Sequence, residues 1–316
     1  MSAENSRILF VVTDLILPLI VGYFLHQKHL MTDLWANRII KFNVIIIYTV
    51  LTLLSFWVLP ITWDLVWLFP FGMMYVLVPG AIGALTFARR HKNLLNRGAY
   101  ILSAMLSNLG TLGGVCAFIL YHEQGFAYTQ IVGTCQNILL VLVCFPLAQY
   151  YRGKHIAAAH HDRNAPAQMH FFGWNQLSLL GIALGLALNS AGIERPAVLA
   201  HSFQFLVHFS AWAALLPVGF LTNFGHARYY YGRVWDIAIL RFLIMPAFIY
   251  ICSRMVFTDP VLLDTLFICS MAPTAINAVL TSRLYKLNVD LAITSFIMTT
   301  ALFLFVIFPC YFFLIR

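Results

Sequence analysis

Long runs of apolar residues, parted by short polar stretches, set the plan of this chain. Ten runs can be counted, at 8–24, 44–59, 65–87, 100–121, 131–148, 177–190, 203–221, 234–256, 262–284 and 291–313. About 20 apolar residues cross a bilayer as a helix. The pattern therefore predicts an all-α membrane protein with ten spans. The sixth run is short and borrows flanking residues such as Gly173 and Trp174. The first run lacks a basic leader and a small-x-small cleavage site, so it is read as a retained span and not a signal peptide.

The longest connection, roughly 149–176, divides the spans into five and five. Five is odd, so the second set starts on the opposite membrane face. If the halves share a fold, they are inverted repeats. The expected organisation is a first five-helix repeat over 1–150, a connecting loop over 151–173 and a second repeat over 174–316. The echoes between halves are faint. Leu19-Ile20-Val21-Gly22-Tyr23 matches Ile182-Ala183-Leu184-Gly185-Leu186, and Pro79 matches Pro246 as a mid-span proline.

A stronger correspondence lies in the fourth span of each half. Ser107-Asn108-Leu109-Gly110-Thr111-Leu112-Gly113-Gly114 interrupts one, and Ala272-Pro273-Thr274-Ala275-Ile276-Asn277 the other. Gly110, Gly113 and Gly114 loosen a helix, and Pro273 removes an amide and clashes with the preceding turn. Lipid cannot hydrogen-bond exposed backbone, so such breaks survive only inside protein or beside a wet cavity. Paired breaks are the best sequence pointer to a carrier's central site. Crossing broken helices would present free amides and positive dipole ends to an anion, usually a carboxylate. The alternative is tight packing through small residues plus a simple proline kink.

Composition narrows the class. The 316 residues are 61% hydrophobic and 9% charged, against about 25% charge in a soluble domain. The net charge of +8 could suggest nucleic acid, but its placement argues otherwise. With connections counted alternately by side, 14 basic residues fall on one side and 4 on the other, with Arg241 inside a span. That bias puts both termini outside the cytoplasm, with a bacterial inner membrane as the expected location.

Asp14 lies well inside the first span, where a carboxylate is by default a functional hypothesis. It and His208 are the candidate proton carriers; an interfacial acid and a structural histidine are the plainer readings. Arg241 is expected to reach the interface or pair with Asp236, or else to bind an anion. Gln136, Asn137 and Gln204 either line a site or join interhelical hydrogen bonds. His155, His160, His161 and His170 read as a solvated loop. The six cysteines lie within spans as small hydrophobes, with no C-x-x-C and no metal spacing. No catalytic motif and no cofactor signature is present.

The fourth-span stretch resembles the S-N-x-G-x-x-G segment of the auxin efflux carrier family. Met271-Ala272-Pro273-Thr274-Ala275-Ile276-Asn277-Ala278 resembles its M-P-x-A-x-N-A segment. Gly185 to Asn189, Pro196, and Pro217 to Phe220 are similar to its sixth and seventh spans, and Arg241 to Pro246 to its eighth. Val115 departs from the proline common after the fourth-span glycines, and Val44–Leu59 lacks an expected proline. The resemblance implies a ten-span inverted repeat with crossing helices four and nine, and transport of small organic anions. Bile-acid-type sodium carriers share that general architecture. Asn108 and Asn277 would be substrate contacts, with Ser107, Gly110, Thr111, Pro273 and Thr274 around them.

The leading expectation is a secondary transporter, not an enzyme, with a small organic anion as substrate and a proton or sodium as coupling ion. Its other partners would be the bilayer and a second copy in a homodimer, with nucleic acid excluded. A membrane-embedded acyltransferase and a non-transporting sensor of the same fold remain the alternatives.

Overall fold

The computed structural model describes residues 11–59, 63–159, 177–221 and 229–315. Among them the structure is helical, with one isolated two-residue bridge in place of any sheet. Six helices are long and apolar enough to cross a membrane: Asp33–Trp57, Leu65–Arg90, Gly114–Ala157, Ala197–Pro217, Tyr231–Val256 and Val289–Phe313. Leu180–Ser190 and Pro260–Ser270 are shorter apolar helices. The stretch from Gly114 is not straight. His122 takes φ 53 and ψ −143, well outside helical values. A Cβ on Gly114 would lie 3.3 Å from both Phe126 and Gln130. A straight helix would hold Gly114 and Gln130 about 24 Å apart. The chain therefore folds back at His122 into a helical hairpin.

Four helical runs contain a widened turn ending two residues before a proline. The turns Val11–Ile16, Leu140–Cys144, Leu240–Ile244 and Phe303–Ile307 precede Pro18, Pro146, Pro246 and Pro309. Proline has no amide to donate, and its ring crowds the carbonyl four residues back. The preceding turn relaxes to a five-residue bond, as from the Met245 amide to the Leu240 carbonyl.

The chain forms two compact units, each assembled from separated segments. The first contains Met1–Leu65, Gly110–Gln130 and Phe172–Thr222. Here the helix Leu17–Gln27 packs on Ala197–Leu221, and Tyr48–Trp57 packs on Leu177–Ser190. Glycines bring the backbones together. A Cβ on Gly22 would lie 2.0 Å from the Leu216 carbonyl oxygen, and one on Gly219 would lie 2.1 Å from that of Leu19. Gly181 and Gly185 approach the carbonyls of Thr49 and Leu53 in the same way. Such contacts gain dispersion and weak C–H···O bonding where lipid offers no hydrophobic drive. Asn189 donates to the carbonyls of Phe56 and Leu59, closing the end of the Tyr48 helix. Arg195 makes a two-pronged pair with Glu123 at 2.7 and 3.1 Å and also donates to Leu54. Phe118, Phe126, Phe203, Leu51 and Val207 fill the core.

The second unit contains Val66–Leu109, Ile131–Phe171 and Asn223–Arg316. Its core gathers Val76, Tyr100, Leu102, Leu106, Cys144, Ile237, Ala278 and Leu291. The helix Phe145–Ala159 carries His155; His160, His161 and His170 lie outside the described residues. Of the cysteines, Cys252 is half-buried and Cys310 is exposed, so these two are not the buried hydrophobes the sequence suggests. Their position on a helix surface suits contact with lipid tails as well as with protein.

His91, just before the helix Leu94–Met105 of the second unit, packs against Tyr100 with ring centres 5.0 Å apart and planes tilted by 40°. Burial holds its imidazole below the usual value; Asp236 opposes this, while Arg233, Arg90 and Arg97 add to it. The folded chain therefore resists a proton that the unfolded chain accepts, and stability should fall as pH drops below about 6.5 toward the folded pKa. Above that value His91 contributes nothing to the slope. His91→Phe should flatten this loss between pH 7.5 and 5.5 in thermal unfolding of purified protein. An equal acid loss in the variant would assign the slope to other groups.

Candidate functional site

The two interrupted segments meet in the second unit. The helix Leu94–Met105 ends where Leu106 turns extended, and Pro260–Ser270 ends at Met271. Between these ends and the next helical turns the backbones run antiparallel, with Ser107 opposite Thr274. The Asn108 amide donates to the Pro273 carbonyl at 2.7 Å, and the Ala275 amide to the Leu106 carbonyl at 2.8 Å. Helical structure then resumes at Leu109–Gly113 and Ile276–Leu284. Two helix breaks thus satisfy each other, as lipid-depth backbone requires.

Side chains complete the pairing on the outer edges. The Ser107 amide donates to Gln136 Oε1 at 2.9 Å, and Gln136 Nε2 donates to the Ser107 carbonyl at 2.7 Å. The Gln136 carboxamide stands in for a third strand. On the other segment the Thr274 amide donates to Thr299 Oγ1, while Thr274 Oγ1 donates to the Ser103 carbonyl. Gln136 is buried, so Gln136→Leu strands a buried amide and carbonyl at once. Each unpaired group costs about 1–3 kcal/mol. The variant should lose about 2–5 kcal/mol of stability, read as a lowered melting temperature. A near-normal melting temperature would show that the crossover does not need this support.

The residues selected from sequence fall around this bridge. Ser107, Pro273 and Thr274 are buried within it. Asn108 is buried and Asn277 half-buried. Neither carboxamide has a hydrogen-bond partner among the described residues. Asn277 is the second residue of its helix, whose N-cap Ala275 supplies no side-chain cap. The first amides of that helix are therefore uncapped by any side chain, in a setting that favours negative charge. Gly110 belongs to the first unit, where its carbonyl accepts from the Tyr48 hydroxyl at 2.6 Å. The side chain of Thr111 lies outside the described residues.

Asp14 and His208, chosen separately from sequence, touch. Nδ1 of His208 pairs directly with Oδ2 of Asp14 in the first unit. Asp14 is buried in the widened turn before Pro18, and Thr13 donates to its other oxygen at 3.3 Å. Phe118 lies edge-on to the His208 ring. A reciprocal Asn43–Ser210 pair fixes the same histidine-bearing helix two residues on. A carboxylate and an imidazole are thus held in direct contact.

One expectation changes and two are narrowed. Arg241 neither reaches an interface nor pairs with Asp236. It is fully buried and donates to the carbonyls of Ser103 and Ala104. It sits in the widened turn before Pro246, and Asp236 pairs with the exposed Arg90 instead. Gln204 is exposed, so it lines no buried site. Gln136 serves an interhelical bond. Sequence reading missed Thr299 and Ser103, because one hydroxyl among many in an apolar span carries no signal of its own.

No protein-family model matches the sequence. A protein of Methanocaldococcus jannaschii named as an uncharacterized transporter is 24% identical over 215 residues. The match covers 66% of this chain and 66% of that protein, so the chain aligns with just under two thirds of its relative's length.

Proposed function

We propose that this chain is a secondary transporter of a small organic anion, a carboxylate, working by alternating access around the Ser107–Thr274 crossover. The observation that carries the reading is the pair of carboxamides, Asn108 and Asn277, without partners among the described residues at the starts of the two resumed helices. Each lies within three positions of the bridge along its own chain. Uncapped amides and neutral hydrogen-bond donors suit a carboxylate without the desolvation penalty of a fixed counter-charge.

The proposal includes ten spans in two inverted five-helix repeats, both termini outside, in a bacterial inner membrane. Several features support it. Counted by the ten apolar runs, the first packs on the seventh and the second on the sixth, a pattern unchanged when the halves are exchanged. The glycines of the faint sequence echo, Gly22 and Gly185, each receive a backbone carbonyl from the partner helix. The two bridge residues each lean on the following span, Ser107 on Gln136 and Thr274 on Thr299. The six-helix count by length is compatible, since the Gly114 stretch turns back at His122 and two further apolar helices are short. The resemblance to auxin efflux carriers and the relative named as a transporter point the same way. No part of the reading requires a cofactor, a metal or an enzymatic step.

The experiment is uptake and efflux of labelled mono- and dicarboxylates in proteoliposomes, with and without imposed proton or sodium gradients. Asn108→Ala or Asn277→Ala should weaken substrate binding by about 1.5–3 kcal/mol, the worth of a hydrogen bond to a charged group. That is about a ten- to hundredfold rise in Kd. Normal affinity in both folded variants would remove the asparagines from the site.

A further inference from the structure

Arg241 is a full positive charge placed where the second unit has no carboxylate to meet it among the described residues. The residue is 1% exposed. No acidic group described lies within ion-pair distance of it, and its Nε is buried without a partner. What it does touch is the backbone. One terminal nitrogen, Nη2, donates to the Ser103 carbonyl at 3.2 Å and to the Ala104 carbonyl at 2.8 Å. These oxygens belong to the last turn of the helix Leu94–Met105, immediately before the crossover. The Ser103 oxygen also accepts from the Thr274 hydroxyl at 3.0 Å, so the guanidinium shares an acceptor with the bridge itself.

The last carbonyls of a helix have no intrahelical donors and carry the negative end of its dipole. In carriers with broken helices, such half-helix C-termini and unwound carbonyls are where a coupling sodium ion is coordinated. Backbone oxygens beside a hydroxyl make the hard, neutral oxygen set that an alkali cation favours. Here a side-chain cation holds that position permanently. Its delivery depends on Pro246, which widens the turn Leu240–Ile244 where Arg241 sits.

We propose that the Arg241 guanidinium is a built-in replacement for a metal coupling cation at the crossover, so that the carrier works without sodium and Arg241 sets its ion specificity. The inference rests on the transporter reading above for its meaning. Its test does not need transport. Removing the guanidinium leaves the Ala104 carbonyl without its donor and the Ser103 carbonyl with the Thr274 hydroxyl alone, and the space it filled should admit a free alkali cation.

The experiment is thermal unfolding of the purified full chain at constant ionic strength in sodium, potassium or N-methylglucamine chloride. Wild type should melt at one temperature in all three salts. Arg241→Ala and Arg241→Gln should melt lower in N-methylglucamine and gain about 5 °C, saturably, in sodium or potassium, as expected for a ligand near a hundredfold its Kd. Arg241→Lys, which keeps a tethered cation, should fold and show no alkali response. Saturable alkali stabilisation of wild type would overturn the proposal, as would folded Ala and Gln variants indifferent to both ions. If the Ala and Gln variants yield no folded protein, Arg241→Lys decides: a folded, alkali-indifferent protein supports the proposal, and an unfolded or alkali-responsive one overturns it. In proteoliposomes, an imposed sodium gradient should leave wild-type flux unchanged. Failure of every carboxylate to move would count against the transporter reading while leaving the thermal result to judge the cation site.

Discussion

Gly219→Ala should lower the melting temperature of the purified protein by about 8 °C or more, and Gly219→Leu should leave little folded protein. The added Cβ would sit 2.1 Å from the Leu19 carbonyl oxygen and 2.8 Å from that residue's carbon backbone. No side chain can swing aside to make room, because both obstacles are main chain. The helices must separate, and the reciprocal contact at Gly22 separates with them. Overpacking typically costs about 1–3 kcal/mol, and more where backbone has to move. In a chain of this size each kcal/mol shifts the melting temperature by about 2–4 °C. Gly153→Ala is the control. Nothing lies within 4 Å of where its methyl group would stand, and it sits in the helix Phe145–Ala159. Alanine should there be neutral or stabilising by about 0.5–1 kcal/mol. A Gly219→Ala protein melting within 2 °C of wild type, roughly 1 kcal/mol or less, would mean that the two helices are not in backbone contact.

Asp14→Asn is expected to make carboxylate flux largely independent of an imposed pH gradient while substrate binding stays measurable. Asp14 pairs directly with His208, so a proton entering this contact would meet a carboxylate and an imidazole side by side. Asparagine offers His208 a hydrogen bond but can neither take nor give up the proton. His208→Gln should reproduce the effect from the other side. Asn43→Ala, which breaks the neighbouring Ser210 pair, should lower stability and keep the pH response. Unchanged pH dependence in both Asp14→Asn and His208→Gln would mean that the pair is structural.

How much of this was legible in the sequence differs by the kind of signal. Glycine, proline and asparagine act on the backbone they belong to, so the breaks at Ser107–Gly114 and Ala272–Asn277 could be read from local chemistry. That they pair as Ser107 against Thr274 depends on residues 167 positions apart, and no local rule gives that register. Asp14 and His208 stood out because charge or protonation inside an apolar run is expensive wherever it occurs. Their contact across 194 positions is a property of packing. Arg241 was misjudged because the sequence names its nearest acid, Asp236, but not the carbonyl oxygens at Ser103 and Ala104, which every residue type shares. The widened turns were likewise hidden: the prolines were visible, while their effect two residues upstream appears only when the helix is built. The reversal at His122 falls in the gap between the apolar runs 100–121 and 131–148, so that connection was legible, although helical backbone continues on both sides of it.

Each compact unit is discontinuous, and this sets a timetable for synthesis. The first unit has all its segments once Thr222 has been made, but the second needs the stretch from Asn223 to Arg316 as well. Until then Ser107 has Gln136 but lacks Thr274, and the last turn of Leu94–Met105 lacks the Arg241 cap. A half-made chain therefore carries open backbone groups in the bilayer while translation continues. Long-range pairing of this sort is slow to form and exposed to misassembly. The insertion machinery has to shelter the third to fifth apolar runs for the time needed to add nearly a third of the protein. Premature termination after the first unit would thus release a chain whose early spans are packed and whose crossover strand is still waiting for its partner.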